Sequence, residues 1–432
     1  METLLLRLAL AVVLVLPTPL VAAAPATTAA NRPNVVLIIS DDQGWGDFGF
    51  MGHPVIRTPR LDGLAARSAV FPNGYVPTSL CRASLASLMT GLYGTQHKIC
   101  CNDFPMASDR SVTHPFIRSV PTVPRLLADA GYRCLQTGKF WEGHFSNAGF
   151  THGMTEKGRH GDEGLIIGRK TMQPVFDFID DSSREKKPFF VWYAPMMPHT
   201  PHDPPQRFLE HYVGKVDSPN VAAYYAMCEW FDETCGQLLD FLDKRKLTDN
   251  TLVVFIVDNG WVQDPAHKGR FDPRSKRSQY DAGLRTPVIV AWPGRVKPGR
   301  YNDLVSSLDV SATMLTACGV QPPPTMQGLS LLEAAAGKAP LPRDAVFGEI
   351  FTHDAVELDK PVLSMTHRWA RVGHLKLVQP RSGNAEPELY DLQADPTEQR
   401  NLAADRPEDV QRLRGRIEQW WSQLHPPRAA SD

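Results

Sequence analysis

Asn34-Val-Val-Leu-Ile-Ile-Ser-Asp41-Asp42 and Thr251-Leu-Val-Val-Phe-Ile-Val-Asp258-Asn259-Gly260 are two apolar runs, rich in β-branched side chains, that each stop on a pair of oxygen-bearing residues. Unbroken runs of this length predict strands buried on both faces, as in a parallel sheet, because a half-exposed strand alternates apolar with polar side chains. In open α/β sheets ligands gather outside the carboxyl ends of such strands, so Asp41, Asp42, Asp258 and Asn259 are expected to converge. Three carboxylates and an amide are hard donors that suit Ca²⁺ or Mg²⁺ better than Zn²⁺ or copper. Asp also ends strands because it favours turns. Two endings, each with paired ligands, favour a metal site.

Working outward, the 432 residues, 42% hydrophobic and 22% charged, suffice for one large domain and a smaller one. A formal charge of -1, with no basic stripe interleaved with aromatics, argues against a nucleic-acid partner. From residue 32 to about 337, strand-like runs alternate with amphipathic helical patterns. This predicts an α/β catalytic domain in which a large mixed, mostly parallel sheet is covered by helices on both faces. Strand candidates are Val35–Ser40, Phe189–Ala194, Leu252–Val257 and Val288–Ala291; helix candidates are Thr122–Gly131 and Ala223–Leu242. Residues 338–432 read as a C-terminal α+β subdomain of antiparallel strands, near Val346–Phe351 and Leu375–Gln379, with a final helix near Glu408–Leu424 packed down by Trp420 and Trp421.

Residues 1–24 carry Arg7, an apolar stretch Leu8–Leu16, Pro17 and Val21-Ala-Ala-Ala24, the form of a signal peptide with cleavage between 24 and 30. That apolar stretch is too short to span a bilayer comfortably, and no second one approaches spanning length. The expectation is an exported periplasmic or extracellular protein with no membrane partner. Seven cysteines, at 81, 100, 101, 134, 228, 235 and 318, lack the spacing of a disulfide scaffold or a zinc site. Cys81 opens a predicted helix that ends at Gly91, in Val76-Pro-Thr-Ser-Leu-Cys81-Arg-Ala-Ser-Leu-Ala-Ser-Leu-Met-Thr-Gly91. Amides and dipole at a helix N-terminus favour an anion, which suits a nucleophile or an oxyanionic substrate. A buried structural cysteine fits this segment equally well.

Further motifs stand in order along the chain: Gly138-Lys139, Pro198-His199, Lys276-Arg-Ser-Gln-Tyr280-Asp-Ala-Gly-Leu-Arg285-Thr-Pro287, Trp292-Pro-Gly294, and Glu388-Leu-Tyr-Asp-Leu392 followed by Asp395-Pro396. With Asp41-Asp42, the Cys81–Gly91 segment and Asp258-Asn259-Gly260, the chain resembles the type I sulfatases of the alkaline phosphatase superfamily over nearly its whole mature length. The resemblance implies a sulfuric ester hydrolase acting on a sulfated small molecule or glycan. A formylglycine-generating maturase would convert Cys81 to formylglycine, whose hydrated aldehyde attacks the sulfur of a sulfate monoester. A divalent ion, usually Ca²⁺ with Mg²⁺ the alternative, would be held by Asp41, Asp42, Asp258, Asn259 and the modified residue 81. Lys139 and Lys276 would bind the sulfate, and His199 would protonate the departing alcohol.

Two departures from that pattern stand out. The family's modification motif Cys-x-Pro-x-Arg reads here Cys81-Arg82-Ala83-Ser84-Leu85, so Ala replaces Pro and Leu replaces an Arg that braces the aldehyde and metal. Arg82 is the candidate to compensate, since positions one and four along a helix differ by about 60° around its axis, a gap a guanidinium can span. In a shifted frame Arg82 takes the Arg position and Thr78 the nucleophile's, as in phosphate-cleaving relatives, but this requires three extra residues before Thr90-Gly91. Trp141 stands where the family has the His that helps break the sulfated intermediate; His144 and His202 are the candidate replacements. Two rivals stay open: a phosphomonoesterase or phosphodiesterase using Thr78 or unmodified Cys81, and a sulfatase-like protein that binds a sulfated ligand without turning it over. Trp261 to Arg277, a polar and basic segment beside Asp258-Asn259, is a candidate contact for an acidic substrate.

Overall fold

The computed structural model describes residues 32–104, 109–381 and 385–426; the expected leader, residues 1–24 with cleavage between 24 and 30, lies outside them. The two quoted runs become neighbouring strands. In chain order the large sheet is built from β1 (Asn34–Ser40), β2 (Ala69–Tyr75), β3 (Arg133–Gly138), β4 (His152–Gly153), β5 (Phe189–Ala194), β6 (Thr251–Val257), β7 (Arg285–Ala291), β8 (Gly299–Arg300) and β9 (Val305–Ser306). Their spatial order is β4-β3-β5-β1-β6-β7-β2-β8, with β9 also on β2. From β4 to β6 every pairing is parallel, whereas β7 runs antiparallel to both β6 and β2.

Burial on both faces explains the composition of β1. Val35, Leu37 and Ile39 pack on one side with residues of the Cys81–Thr90, Val123–Asp129 and Ser307–Ala317 helices. Val36 and Ile38 pack on the other with residues of the Pro59–Ala66, Gln173–Arg184 and Pro219–Lys244 helices. Each aliphatic side chain so buried contributes about 1.5–3 kcal/mol, and a polar residue at any of these positions would forfeit it. Register then sets the site: Ser40 pairs with Val257, so Asp41-Asp42 and Asp258-Asn259 leave the sheet side by side.

Boundaries moved where local chemistry or pairing extends an element. The long helix starts at Pro219, after Ser218 caps the amides of Asn220 and Val221, and runs to Lys244. β7 begins at Arg285 rather than Val288 because Arg285 and Thr286 pair with Tyr75 and Gly74 of β2. In the C-terminal part β10 (Ala345–Phe351), β11 (Met365–Val372), β12 (Leu375–Pro380) and β13 (Glu388–Asp391) form an antiparallel four-stranded sheet. Val410, Leu413, Ile417 and Trp420 of the Pro407–Leu424 helix pack with Ala370, Leu377 and Leu389 of that sheet. β11 went unanticipated, since Thr366, His367 and Arg368 dilute its apolar signal. Among the described residues, no helix is long and apolar enough to cross a membrane.

Candidate active site

At the carboxyl ends of β1 and β6 the expected residues come together. Asp42, in the left-handed region at φ 60°, donates its amide to Asp258 Oδ1 at 3.0 Å, and the Asn259 side-chain amide donates to Asp42 Oδ1 at 2.7 Å. Cys81, first residue of its helix, brings its Sγ to 3.8 Å from Asp42 Oδ1. Single ligand atoms of Asp41, Asp42, Cys81 and His199 all lie within 4.8 Å of one another. Lys139 follows the end of β3, and its ammonium pairs with Asp41 and lies 3.5 Å from Asp258 Oδ2. Gly138 makes that approach possible: at φ 69°, a Cβ there would sit 1.9 Å from the carbonyl oxygen of Ala194. Lys276, on the loop after β6, donates to Asp42 Oδ2 at 2.5 Å. His199 Nε2 lies 3.3 Å from the same oxygen, while its Nδ1 is 2.7 Å from the Thr200 carbonyl, to which it donates.

The charges in this cluster are almost fully removed from water. Burial, and then the charge of Asp41, push Asp258 up to about 8, and burial likewise raises Asp41. Asp42 is held low, because Lys276, His199 and Lys139 together outweigh its burial. Burial pushes the Cys81 thiol up to about 11. Asp41 Oδ2 and Asn259 Oδ1 are buried without a hydrogen-bond partner. Orphaned polar atoms of this kind are rare and call for an explanation. Three carboxylates against two ammonium groups, with two hard oxygens unspent, fit a divalent oxygen-seeking cation. Asp41, Asp42, Asp258 and Asn259, with residue 81, are the groups that would hold it.

Other expected residues lie elsewhere. Arg82 does not reach the carboxylates: its Nε and Nη2 donate to Glu142, each at 2.7 Å, and Nη2 also donates to Thr113. Leu85, where an Arg was expected, is buried in the apolar cluster with Trp141 and Phe140. His144 is exposed, with its ring accepting the Ser146 amide and tilted against Phe145. Thr78 is buried with its hydroxyl unpaired, one turn before the helix that carries Cys81 to the site. His202 is buried against Tyr224 and Trp261. All seven cysteines are buried and free, with the Sγ atoms of Cys100 and Cys101 at 3.4 Å.

One imidazole came unannounced. His160 packs edge-on against Trp141 with ring centres at 4.3 Å and against His199 at 5.9 Å. Its left-handed backbone, φ 65°, is pinned by its neighbour Gly161, which packs on the Gly138 carbonyl and accepts a hydrogen bond from Thr155. Burial, then Lys139, Arg159, His199 and Lys276, hold His160 neutral, with its pKa lowered to about 2. The segment around it is irregular, so no periodicity marked it; the only available signal was a His beside Gly in a loop.

Residues 33–320 match the sulfatase family, and residues 267–423 match the C-terminal region of N-sulphoglucosamine sulphohydrolase. N-acetylgalactosamine-6-sulfatase of Canis lupus familiaris is 28% identical over 361 residues, 72% of this chain and 67% of the relative. Arylsulfatase A of Homo sapiens is 27% identical over 470 residues, 91% of this chain and 89% of that protein. A solved structure in complex with its substrate D-glucosamine-2-N,6-O-disulfate superposes with a TM-score of 0.72 at 20% identity, covering 93% of this chain and 100% of the other. The chain therefore belongs to the type I sulfatase family of the alkaline phosphatase superfamily, a family of sulfuric ester hydrolases.

Proposed function

We propose that this protein is an exported, metal-dependent sulfatase that hydrolyses sulfate monoesters of saccharides, with formylglycine formed from Cys81 as its nucleophile. The observation that carries this reading is the convergence of Asp41, Asp42, Asp258 and Asn259 with Cys81, Lys139 and Lys276 at the carboxyl ends of the central strands. Ca²⁺, or alternatively Mg²⁺, when bound would offset charge on the sulfate oxygens and orient residue 81. Lys139 and Lys276 neutralise the sulfate, where a water-poor setting strengthens each charge. His199 serves as an imidazolium, its Nδ1–H donated to the Thr200 carbonyl and its Nε2–H, 3.3 Å from Asp42 Oδ2, passing to the departing alcohol oxygen. His160 is placed to take the role that Trp141 leaves vacant, since its ring packs edge-on against both Trp141 and His199. Residues 1–24 direct export, and Cys81 depends on a maturase for its conversion. Relatives that act on sulfated amino sugars support the saccharide assignment.

Peptide mass spectrometry of residue 81, on protein from its native host, tests this directly. The expected result is the lighter aldehyde, together with sulfate release that a chelator abolishes and Ca²⁺ restores. Unmodified cysteine in protein that still cleaves phosphate esters would overturn the reading in favour of a phosphoesterase. Unmodified cysteine, with tight binding of a sulfated glycan and no turnover, would make it a binding protein.

A further inference from the structure

Cys100 and Cys101 are adjacent in the chain, and their Sγ atoms stand 3.4 Å apart. Both are buried in a small apolar cluster with Leu80 and Ala83, on either side of Cys81, and with Phe351 of β10, Met365 of β11 and Ala355. The next residue, Asn102, links the pair to the Cys81 helix. Its Oδ1 accepts the Arg82 amide at 3.0 Å, and its own amide donates to the His353 carbonyl at 3.0 Å. Leu80, at the N-cap of that helix, has no side-chain acceptor to offer, so Asn102 supplies from across the fold what a local Ser or Asp would otherwise give.

We infer that Cys100 and Cys101 form a reversible disulfide, a modification separate from any at Cys81, and that its closure loosens the Asn102 cap on the Cys81 helix. Sulfurs already in contact need only close to the roughly 2 Å of an S–S bond. Cα atoms of adjacent residues, however, are about 3.8 Å apart, short of the roughly 4.4–6.8 Å usual for a disulfide. A bridge of this kind is strained, closes almost no loop and adds little stability, which places it among the readily reduced, regulatory disulfides. The strain falls on the peptide immediately before Asn102. Cys101 is the thiol that reacts first: a hydrogen bond from Cys100, then the Ser364 and Thr352 hydroxyls and the Arg82 charge, lower its pKa against burial, while the same sulfur contact raises Cys100. The Cys101 thiolate attacks one sulfur of a small disulfide oxidant and releases the other half as a thiol. Cys100 then attacks Cys101 Sγ, the new S–S bond forms, and the second half of the oxidant leaves as a thiol. The two protons and two electrons of the pair end on those two thiols. A void of only about 10 Å³ borders the cysteines, so exchange with an oxidant the size of glutathione takes place as the chain folds, before Ala355 and Leu358 cover them. The pair lies outside the carboxylate cluster, and neither the bond nor its test depends on the sulfatase reading.

Trypsin isolates the pair, because cleavage after Lys98 and Arg110 gives the peptide Ile99–Arg110 with no third cysteine. Full-length protein is unfolded in reductant and refolded either in a mixture of oxidised and reduced glutathione or in excess reductant, then denatured, alkylated, digested and weighed. After glutathione refolding the peptide should be two hydrogens lighter and unlabelled. After refolding in reductant it should carry two labels, and adding reductant to the oxidised protein should restore that form. Hydrogen exchange at the Arg82 amide, followed in both forms, should be about ten-fold faster in the oxidised protein, as loss of one hydrogen bond of ordinary strength predicts. Asn102→Ala in reductant should reproduce the faster exchange, whereas Cys100→Ser, which cannot close the ring, should keep the slow exchange in glutathione. Two labels after glutathione refolding, or either cysteine joined instead to glutathione or to another cysteine of the chain, overturns the inference. A disulfide at 100 and 101 with unchanged exchange at Arg82 overturns the coupling to the Cys81 helix.

Discussion

Two buried charge clusters use the same residue types and differ in one respect. Between the C-terminal sheet and the segment leading into β7, Lys376 donates to Asp281 Oδ1 and Glu398 Oε1, both at 2.8 Å. The remaining oxygens are spent too: Asp281 Oδ2 accepts from Tyr75, and Glu398 Oε2 accepts the Asp281 amide. At the end of β1 and β6, three carboxylates face two ammonium groups, yet Asp41 Oδ2 and Asn259 Oδ1 remain unpaired. Satisfaction, not charge content, separates a structural clamp from a site kept open for a ligand. A completed network fixes geometry, whereas an incomplete one is tolerated only where something else fills it.

The comparison breaks most visibly at Asp258. Asp258→Ala should abolish sulfate release, and normal turnover in a sulfate-ester assay would remove the carboxylate cluster from the chemistry. Lys139→Ala should lower kcat/KM by about 10²–10³-fold through loss of a preorganised positive partner. For the clamp the expected change is in stability: Lys376→Met strands two buried carboxylates and should cost about 3–5 kcal/mol in urea unfolding, with kcat unchanged in the folded fraction. A loss of kcat without a loss of stability would dissolve the distinction between the clusters.

Leu85→Arg probes the boundary of the open cluster. The space lined by Leu85, Arg82, Lys139 and Trp141 holds only about 10 Å³, so the guanidinium must displace packed side chains beside a lysine. A loss of about 1–3 kcal/mol and no gain in conversion of residue 81 are expected; better conversion would show that the site lacks its arginine. The smallest effect belongs to His97, buried between Ser87 and the Ile99 amide. Burial, and then Arg82, lower its pKa to about 3 from the usual 6.5. The folded state therefore disfavours the proton, so its contribution to stability is intact above pH 6.5 and declines as pH falls from there towards 3. His97→Gln should flatten the dependence of Tm on pH in that window, and an unchanged slope would reassign the acid sensitivity.

Much of the fold was legible because burial on two faces leaves a local trace. β1, β5 and β6 were readable from unbroken apolar runs, and their acidic endings marked where ligands meet. Lys139, His199 and Lys276 were legible through the family pattern, and all three reach the cluster. Arg82 was misplaced because its partner, Glu142, lies 60 residues away, and a buried guanidinium follows the nearest carboxylate rather than the helical angle. His160 was invisible for the same reason. It arises from an irregular segment folded against Gly138, where no period relates residue type to position. Strand identity, burial and the ligand pairs follow from short-range pattern and belong to the chain itself. Partner choice among buried charges and the imidazole beside Trp141 are through-space outcomes, which only the packed tertiary structure decides.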